Sequence, residues 1–439
     1  MGCMEATTRT GVYRPRDPHS SPLYQCVREH YDELEAVGAI HRQVERLVLD
    51  RFIDCGDLHK GFARIYCDTC GHDYLLAFSC KTRYFCPSCH QKRMLAYGDW
   101  VEDEVLAVVP HRQYVFTVPK LLRPHFHQRY RLGGFCRIVA RLLSAAYKEA
   151  APWGKPGYIL FVQTFGDLVN FHPHIHALVA DGVFAESGAF RVLPVVPPIL
   201  LVGQLRHAVL DYLVEEEAIT EDFAHKLLSW KHSGFSVDNK VCIRADDAEG
   251  RKQLARYMIR NPFSLEKMTY KVKQGVVVYR SKLHATLKRN YQLMPGAEWL
   301  KLLIRHIPDK GEHLVRYYGW YSSRCRGERR RMLEESEIEE GQQANVAMDQ
   351  QSGLAFAIAA RSAWARLIKK VYEVDPLICP HCGGEMRFLA VIEEAPVIEK
   401  ILRHIKAWDP RPPLRAPPND DWPENSQIPL TYHPVPDIA

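Results

Sequence analysis

Residues 170–179 of the chain read NFHPHIHALV, in which closely spaced histidines precede an apolar run. A β-strand alternates its faces with a period of two residues, so His174 and His176 point to the same side of such a strand. Two imidazoles fixed on a rigid strand provide half of a metal site that still admits a substrate. The stretch therefore predicts a strand that carries a metal or phosphate site, and a nearby hydroxyl nucleophile would make it a site for cutting a phosphodiester.

A second predicted strand, GYILFVQTF at residues 157–165, precedes the histidine strand. The five residues 166–170 between them suit a hairpin turn. Paired positions in a hairpin sum to a constant, so Gln163 falls opposite His174 and shares its face. Gln163 is therefore a candidate third metal ligand. Two weaker candidates offer a side-chain oxygen: Asp167 and Gln253.

The same strand allows a competing interpretation. His172, His174 and His176 alternate and precede apolar residues, which also resembles the histidine-triad nucleotide hydrolases. That resemblance implies a histidine nucleophile and no metal. Proteins of that hydrolase family are small, however. The resemblance to them accounts for neither the cysteine module nor the tyrosine helix of this chain.

The composition is that of an ordinary globular protein. The 439 residues are 46% hydrophobic, which is enough for two to four domains. No run approaches the roughly 18 apolar residues of a membrane span, and the polar residues 1–20 predict no secretory signal. We therefore expect a cytoplasmic protein without a membrane partner. The net charge of +6 permits nucleic-acid binding without requiring it.

The thirteen cysteines are clustered and odd in number, which favours metal binding over a disulfide framework. Cys67 and Cys70 form one C-x2-C pair, and Cys86 and Cys89 form a second pair, with fifteen residues between the two pairs. This spacing predicts one closed, four-thiolate structural zinc site. Three further residues are spare candidates: Cys55, Cys80 and His90.

A third pair, Cys379 and Cys382, has no partner pair close to it in sequence. Such a pair is either half of a metal site or a turn with two free thiols, and the sequence leaves both open.

The segment RKQLARYMIRNP at residues 251–262 predicts a helix that ends before its proline. The spacing of Tyr257 from Leu254 by itself favours a buried aromatic side chain. Its neighbours point elsewhere, because basic residues recur every four positions and can hold a phosphate backbone beside the phenol. These basic residues are Lys252, Arg256 and Arg260. A phenol is largely protonated at neutral pH, so its attack on a phosphate needs a base or a metal.

The predicted organisation has four parts. Residues 1–105 form a helical and zinc-binding unit, with one helix over 24–53, and residues 106–333 form an α+β core. Residues 334–353 are a linker, and 354–439 form a small unit with the third cysteine pair and a proline-rich tail. Near the end of the core, aromatic residues that could stack on unpaired bases, or simply pack, precede an arginine cluster. They are Tyr317, Tyr318, Trp320 and Tyr321, followed by Arg324, Arg326, Arg329, Arg330 and Arg331.

Several linked motifs resemble, in the same order, the rolling-circle transposases of the insertion sequence ninety-one and common-region group, within the HUH endonuclease superfamily. They are CGDLHKGFARIYCDTCGH (55–72), SCKTRYFCPSCHQKR (79–93), YVFTVPKLLRP (114–124), VQTFGDLVNFHPHIHALVADGVF (162–184), WKHSGFSV (230–237), LARYMIRNPFS (254–264) and WARLIKKVYEVDPLICPHCGGEM (364–386). The resemblance covers most of the chain.

The resemblance implies an N-terminal zinc-binding domain, with zinc on Cys67, Cys70, Cys86 and Cys89, and a ferredoxin-like or RRM-like nuclease core with an antiparallel sheet. It also implies a divalent ion, Mg²⁺ or Mn²⁺, on His174 and His176. Tyr257 would attack single-stranded DNA, leaving a 5′-phosphotyrosine and a free 3′-OH. The expected partners are single-stranded DNA at the element ends and target DNA, gripped by the zinc unit and by basic residues. Those basic residues are Lys252, Arg256, Arg260, Arg329, Arg330 and Arg331.

One position departs from part of the family. Some members carry two tyrosines one helical turn apart, whereas the residue four before Tyr257 is Gln253. The chain therefore resembles the single-tyrosine branch. The second strand transfer is left to one tyrosine used twice, to a second subunit of a homo-oligomer, or to a displaced 3′-OH.

Two other functions fit the same sequence. A plasmid replication initiator or relaxase-like nickase would cut DNA by the same step, and the position of the gene beside an origin or between element ends separates the two. A zinc-dependent DNA-binding regulator would bind DNA without cutting it, so a nicking assay with Mn²⁺ separates that protein from an enzyme.

Overall fold

The computed structural model describes residues 18–281, 290–341 and 377–408, with side chains described outside 333–341. The helices in these ranges are α1 (Pro22–Ala36), α2 (Gln43–Ile53), α3 (Pro87–Glu104), α4 (Tyr130–Ala150), α5 (Pro198–Glu215), α6 (Glu221–Ser229), α7 (Ala248–Met258), α8 (Gly296–Ile304), α9 (Ser323–Gly341) and α10 (Ala395–His404). The strands are β1 (Phe62–Cys67), β2 (Asp73–Ala77), β3 (His111–Thr117), β4 (Lys155–Phe165), β5 (Phe171–Phe184), β6 (Phe190–Val192), β7 (Ser236–Asp238), β8 (Cys242–Ile243), β9 (Met268–Lys271), β10 (Val276–Arg280), β11 (Tyr291–Pro295), β12 (Val315–Gly319) and β13 (Met386–Ile392).

The largest sheet has the strand order β12-β4-β5-β3-β7, with β6 paired to β5 and β8 to β3. All of its pairings are antiparallel. Along the chain its central part reads β3-α4-β4-β5-α5-β7, with α6 after α5, which is a β-α-β-β-α-β order of the ferredoxin-like kind. The α+β prediction for the fold is confirmed.

The two faces of β4 and β5 bury different neighbours. On one face, residues such as Leu160, Ile175 and Ala177 pack in a core with side chains of α4 and α5. On the other face, Phe161 and Leu178 pack against side chains of α3 and α7. Period-two alternation therefore directs the even-numbered residues of β5 towards the helix that was predicted to carry a tyrosine.

The N-terminal helices pack against a later part of the chain. The single helix predicted over 24–53 is two helices, because Gly38 adopts a left-handed conformation (φ 62°) between α1 and α2. Ser21 caps α1 by accepting a hydrogen bond from the Tyr24 amide. Both helices share a core with α8 and with the sheet of β9, β10 and β11. The predicted units 1–105 and 106–333 are thus joined by a common core.

The third sheet, with the order β13-β1-β2, joins the two ends of the chain. β13 pairs antiparallel with β1, from Phe62 opposite Ile392 to Cys67 opposite Met386. The division at the linker also differs from the structure, because 334–341 continue the helix α9. The rest of the predicted linker lies outside the described residues. No helix within the described ranges is long and apolar enough to span a membrane.

Candidate functional site

The hairpin of β4 and β5 sets the register of the histidine strand. Its turn is closed by the Gly166 amide, which donates to the Asn170 carbonyl. Gln163 pairs with His174, as the constant-sum argument predicted, and Phe161 pairs with His176. All three polar residues lie on the sheet face that meets α7, where Gln163, His174 and His176 are each less than a tenth exposed.

The two imidazoles converge through their Nε2 atoms, which lie 3.1 Å apart. Two nitrogen atoms held about 2.1 Å from one ion at a right angle lie about 3 Å apart. His174 donates from Nδ1 to the His172 carbonyl at 2.7 Å, which leaves its Nε2 as a lone pair. Gln113 Nε2 donates to His176 Nδ1 at 2.7 Å, which places the ring proton of His176 on Nε2. His176 Nε2 then donates to the lone pair of His174 Nε2, and a metal would bind both nitrogens by displacing that proton.

Gln163 carries a side-chain oxygen on the same sheet face as the two histidines. Its amide nitrogen donates to the Met258 carbonyl at 2.7 Å, which fixes the orientation of the side chain. Its Oε1 is buried and has no hydrogen-bond partner. A buried, unpaired amide oxygen is costly unless a ligand satisfies it. This orphaned atom, opposite His174 in the hairpin, fits a third metal ligand. The weaker candidates differ, because Asp167 is exposed in the turn and Gln253 donates to Glu249.

The histidines of this site are neutral at pH 7. Burial, reinforced by the neighbouring His172, Arg260 and Arg123, lowers the pKa of His174 to about 4. Burial also holds the pKa of His176 well below its usual range, and the neighbouring His174 and Arg260 lower it further. Neutral imidazole is the form that binds metals. Among the described residues, no carboxylate forms a metal-binding cluster with these histidines. The positive charge of an ion bound here would therefore not be balanced by a carboxylate of the site.

Tyr257 lies on α7 beside the histidine pair. Its ring meets the ring of His176 edge to face, with 5.7 Å between centroids and an interplanar angle of 82°. The residue is 43% exposed, so the interpretation as a buried core aromatic is wrong. Asp247 begins the helix by accepting a hydrogen bond from the Gly250 amide. The phenol therefore combines access from solvent with contact with the imidazoles.

The other basic residues of α7 are occupied by α3. Arg251 is 1% exposed and binds both carboxylate oxygens of Glu102. Arg256 pairs with Asp99 at 2.9 Å and is also buried. Lys252 lies 3.9 Å from Asp99. Carboxylates of α3 thus compete with DNA for Lys252 and Arg256, whose contact with DNA stays a prediction.

Arg260 and Arg123 differ from these paired residues. The Arg260 guanidinium lies over the Tyr257 ring, 4.6 Å from its centroid, and its Nε is buried without a hydrogen-bond partner. Arg123 Nε is likewise buried and unpartnered, and burial lowers the pKa of this guanidinium. Within the described ranges neither residue forms an ion pair. Unpaired, half-buried guanidinium groups are stabilised by an anion.

The aromatic residues near the end of the core serve packing instead of base stacking. Tyr321 is fully buried and hydrogen-bonds with His111. Tyr318 stacks on Tyr158 at 5.1 Å, and Trp320 stacks on Phe184 at 4.7 Å. The packing alternative is thus the correct one, because β12 pairs with β4 and is held within the large sheet.

The arginines that follow this strand divide into two groups. Arg329 lies over the Trp320 ring at 4.1 Å and donates to the Trp320 carbonyl, so its guanidinium is engaged within the chain and its contact with DNA stays a prediction. Arg330 and Arg331 are exposed on α9 and remain predicted DNA contacts.

The four cysteines predicted to share one zinc site do not lie together. The structure pairs Cys86 and Cys89 with Cys55 and Cys80, which were spare candidates. It pairs Cys67 and Cys70 with Cys379 and Cys382. The reason is the hairpin of β1 and β2, whose turn carries Cys67 and Cys70. Cys55 and Cys80 lie together at the other, open end of this hairpin. The turn and the open end are separated by the six residues of β1, or about 20 Å.

The first cluster, formed by Cys55, Cys80, Cys86 and Cys89, has the donor set of a structural zinc site. Its four Sγ atoms all lie within 4.8 Å of one another, and those of Cys80 and Cys89 are 3.6 Å apart. Thiolates at about 2.3 Å from one tetrahedral zinc lie about 3.8 Å apart. His90, the remaining spare candidate, is not a ligand. Its Nδ1 accepts from the Tyr84 amide and its Nε2 donates to the Ile259 carbonyl.

Sequence reasoning missed three residues of the site: Gln113, Arg123 and Asn261. Gln113 holds His176 Nδ1, yet a single glutamine on an adjacent strand carries no spacing signal. Arg123 lies within the motif of residues 114–124, which by itself predicts no role for it. Its position near His172 depends on how residues 120–127 fold. Asn261 follows Arg260, and both polar atoms of its side chain are buried and unpartnered.

Comparisons with known proteins find transposases over most of the chain. A family model described as a putative transposase matches residues 157–329, and one described as a transposase zinc-binding domain matches residues 26–118. The chain is 24% identical over 371 residues to the transposase for insertion sequence element IS801 of Pseudomonas savastanoi pv. phaseolicola, which covers 80% of this chain and 85% of that protein. It is 25% identical over 284 residues to putative transposase y4qJ of Sinorhizobium fredii (strain NBRC 101917 / NGR234), which covers 59% and 70%. No solved structure gives a significant match.

Proposed function

The chain belongs to the transposases of the insertion sequence ninety-one group, and from that premise we propose that it nicks and rejoins one DNA strand through a covalent bond to Tyr257. This step is that of the HUH endonucleases and of rolling-circle transposition. The observation that carries the proposal is the contact between an exposed phenol and a converging imidazole pair, with 5.7 Å between the rings of Tyr257 and His176.

In this proposal His174, His176 and Gln163 hold the catalytic ion. The converging Nε2 atoms and the orphaned Gln163 Oε1 are the donors present, and two imidazoles suit Mn²⁺ at least as well as Mg²⁺. The ion, when bound, would polarise a phosphate oxygen and make the phosphorus a better electrophile. A donor set with no carboxylate binds a divalent ion weakly, so the phosphate oxygens of DNA would complete it.

The nucleophilic step is balanced without an external energy source. Tyr257 Oη forms a bond to the phosphorus and loses its proton, while the P–O3′ bond breaks and the leaving oxygen takes up a proton. The products are a 5′-phosphotyrosine and a free 3′-OH, and rejoining reverses the same exchange. The bond energy is kept in the phosphotyrosine, so no ATP is required.

Arg260 and Arg123 would bind the scissile phosphate or its neighbour. The Arg260 guanidinium covers the Tyr257 ring. The charges of both arginines add to the effect of burial in lowering the pKa of His174. A phosphodiester supplies the missing anion and forms charge-assisted hydrogen bonds with both guanidinium groups. This contact would place the phosphorus beside the phenol, where proximity favours attack.

The proposed partners are single-stranded DNA at the element ends and target DNA, in the cytoplasm of a bacterium. Arg330 and Arg331 are exposed and would contact the backbone further along the strand. With Gln253 in place of a second tyrosine, the second transfer would use Tyr257 again, a second subunit of a homo-oligomer, or the displaced 3′-OH.

The decisive experiment is mass spectrometry of the full chain after incubation with a labelled single-stranded element end and Mn²⁺. We expect one oligonucleotide-bearing peptide, with the adduct on Tyr257. An adduct on another residue would overturn the assignment of the nucleophile. Binding of the oligonucleotide without an adduct or a nick would instead identify a DNA-binding protein that does not cut.

A further inference from the structure

The second cysteine cluster is built from opposite ends of the chain. Cys67 and Cys70 come from the hairpin of β1 and β2, and Cys379 and Cys382 come from the segment before β13. The four Sγ atoms lie within 4.8 Å of one another. The cross-pairs are close, at 3.5 Å for Cys67 and Cys382 and 3.5 Å for Cys70 and Cys379. These separations approach the roughly 3.8 Å expected for thiolates around one tetrahedral zinc.

The two pairs lie on turns of the same construction. In the first turn the Gly71 amide donates to the Cys67 carbonyl at 3.0 Å, and the Cys67 amide donates to the His72 carbonyl at 2.8 Å. In the second turn the Gly383 amide donates to the Cys379 carbonyl at 2.9 Å. The Cys379 amide donates to the Gly384 carbonyl at 2.8 Å.

A glycine with positive φ follows the second cysteine of each turn. The values are 74° at Gly71 and 72° at Gly383, a conformation that other residues adopt only with strain. Free thiols in an ordinary turn do not require this repeated backbone geometry. A knuckle whose two thiolates must reach one ion does, because the backbone has to curl around both of them.

Residues 377–408 have only small apolar clusters: Ile398 and Leu402 of α10 pack with Phe62, and few buried side chains lie near the second turn. Around the cluster the buried hydrophobic residues are Ile65, Cys67, Cys379 and Met386. β13 pairs with β1 on one side, and most of its side chains are not buried. Small units with so little core are commonly stabilised by a metal or by disulfides.

We propose that Cys67, Cys70, Cys379 and Cys382 bind a second structural zinc ion, which clasps residues 377–408 to the N-terminal hairpin. The zinc-binding-domain match ends at residue 118 and so includes only half of this donor set. The proposal does not depend on the nicking reaction, because it rests on the cysteine geometry alone. Two disulfides are the competing chemistry, but the Sγ–Sγ distances of 3.5 Å are far longer than the 2.05 Å of an S–S bond.

The two zinc sites would differ in accessibility. Cys70 and Cys382 are exposed, whereas the first cluster has no exposed cysteine. A chelator therefore should remove zinc from the clasp first. Removal would leave four thiols with no ion to hold the two turns together, and the pairing of β13 with β1 would weaken.

The test is zinc content per chain by inductively coupled plasma mass spectrometry, on the full protein purified under reducing conditions. Cys382→Ser is expected to lose one zinc equivalent relative to the parent chain, and Cys382→His, which restores a ligand, is expected to keep it. Cys242→Ser alters an exposed cysteine outside both clusters and should change nothing. Cys89→Ser should lose the zinc of the first cluster instead.

Hydrogen exchange supplies the second measurement. In Cys382→Ser, and in the parent chain after brief chelation, the β13 amides that pair with β1 should exchange at least about tenfold faster, while those of β5 stay protected. The proposal is overturned if Cys382→Ser keeps the zinc content of the parent chain. It is also overturned if the parent chain, purified without reductant, carries these four cysteines as disulfides with unchanged β13 exchange.

Discussion

His90 donates a hydrogen bond from Nε2 to the carbonyl of Ile259, two residues beyond Tyr257. His90 follows Cys89 at the start of α3, so the helix that begins in the first cysteine cluster also holds the end of the tyrosine helix. Glu102 and Arg251 form a second link between the same helices. The zinc-binding unit thus fixes the position of α7 against the histidine strand.

We expect Glu102→Ala to destabilise the protein by about 3 kcal/mol, because it leaves the Arg251 guanidinium buried without its carboxylate. Urea denaturation measures the loss. Glu399→Ala, which breaks an exposed i,i+4 pair with Arg403 on α10, is the matched control and should cost less than about 0.5 kcal/mol. Equal costs for the two variants would show that the pair between α3 and α7 contributes no special stability.

Tyr257→Phe should abolish the covalent adduct, by at least about a thousandfold, while DNA binding and stability change little. The substitution removes one hydroxyl from a side chain that is 43% exposed, so the free energy of unfolding should stay within about 0.5 kcal/mol. Denaturing gels with a labelled single strand measure the adduct. Tyr130→Phe, at another exposed tyrosine, is the control and should form the adduct normally.

Gln163→Leu should weaken Mn²⁺ binding about 10- to 100-fold, because it removes the orphaned Oε1 from the site. Gln163→Glu should bind Mn²⁺ at least as tightly as the parent chain, since it keeps an oxygen and adds a negative charge. Isothermal titration without DNA measures both. Both substitutions remove the amide that donates to the Met258 carbonyl, so equal weakening would mean that Gln163 only supports α7.

Arg260→Gln should weaken the binding of a single-stranded oligonucleotide about tenfold in the presence of EDTA, which corresponds to one charge-assisted hydrogen bond. The slope of log K against log salt should fall in magnitude by about 0.7, the value for one phosphate contact on a single strand. Fluorescence anisotropy measures both quantities. Arg141→Gln, at an exposed position of α4, is the control. An unchanged slope in Arg260→Gln would exclude a direct phosphate contact.

Stability should decline as the pH falls below about 6.5, in part because of His306. Burial lowers the pKa of His306 to about 4, and its ring bonds to Thr164 Oγ1 and the Val169 carbonyl in the neutral form. Between these pH values the unfolded chain binds a proton here that the folded chain does not, so protons favour unfolding. His306 alone should account for about 2 kcal/mol of the loss between pH 7 and pH 5.

Urea denaturation of the parent chain and His306→Gln at both pH values isolates this contribution. The variant is expected to be less stable at pH 7 but to lose about 2 kcal/mol less on going to pH 5. If the two proteins lose the same stability over this range, the proton is bound elsewhere.

Local patterns predicted the parts of the site that a single hairpin determines. The i,i+2 spacing of His174 and His176 fixed their common face, and the length of the turn placed Gln163 opposite His174. The end of α7 before Pro262 followed from the proline. These predictions succeeded because a hairpin or a helix end depends on residues only a few positions apart.

Predictions that needed contacts between distant segments were less successful. The cysteine spacing was correct for two knuckles, but their partners lie at Cys55 and Cys80 in one case and more than 300 residues away in the other. Likewise, the charges of Lys252 and Arg256 were visible in the sequence, whereas the carboxylates of α3 that neutralise them were not identifiable.

The sequence by itself therefore determined the histidine strand, its hairpin partner, the tyrosine helix and the presence of zinc-binding pairs, because short-range periodicity and turn chemistry specify each of them. Only the tertiary structure decided which cysteines share a cluster, which arginines remain unpaired, and that Tyr257 meets His176. Those outcomes depend on how α3, α7 and β13 pack against the two sheets, and the free energy of that packing comes from burial summed over many residues from distant parts of the chain.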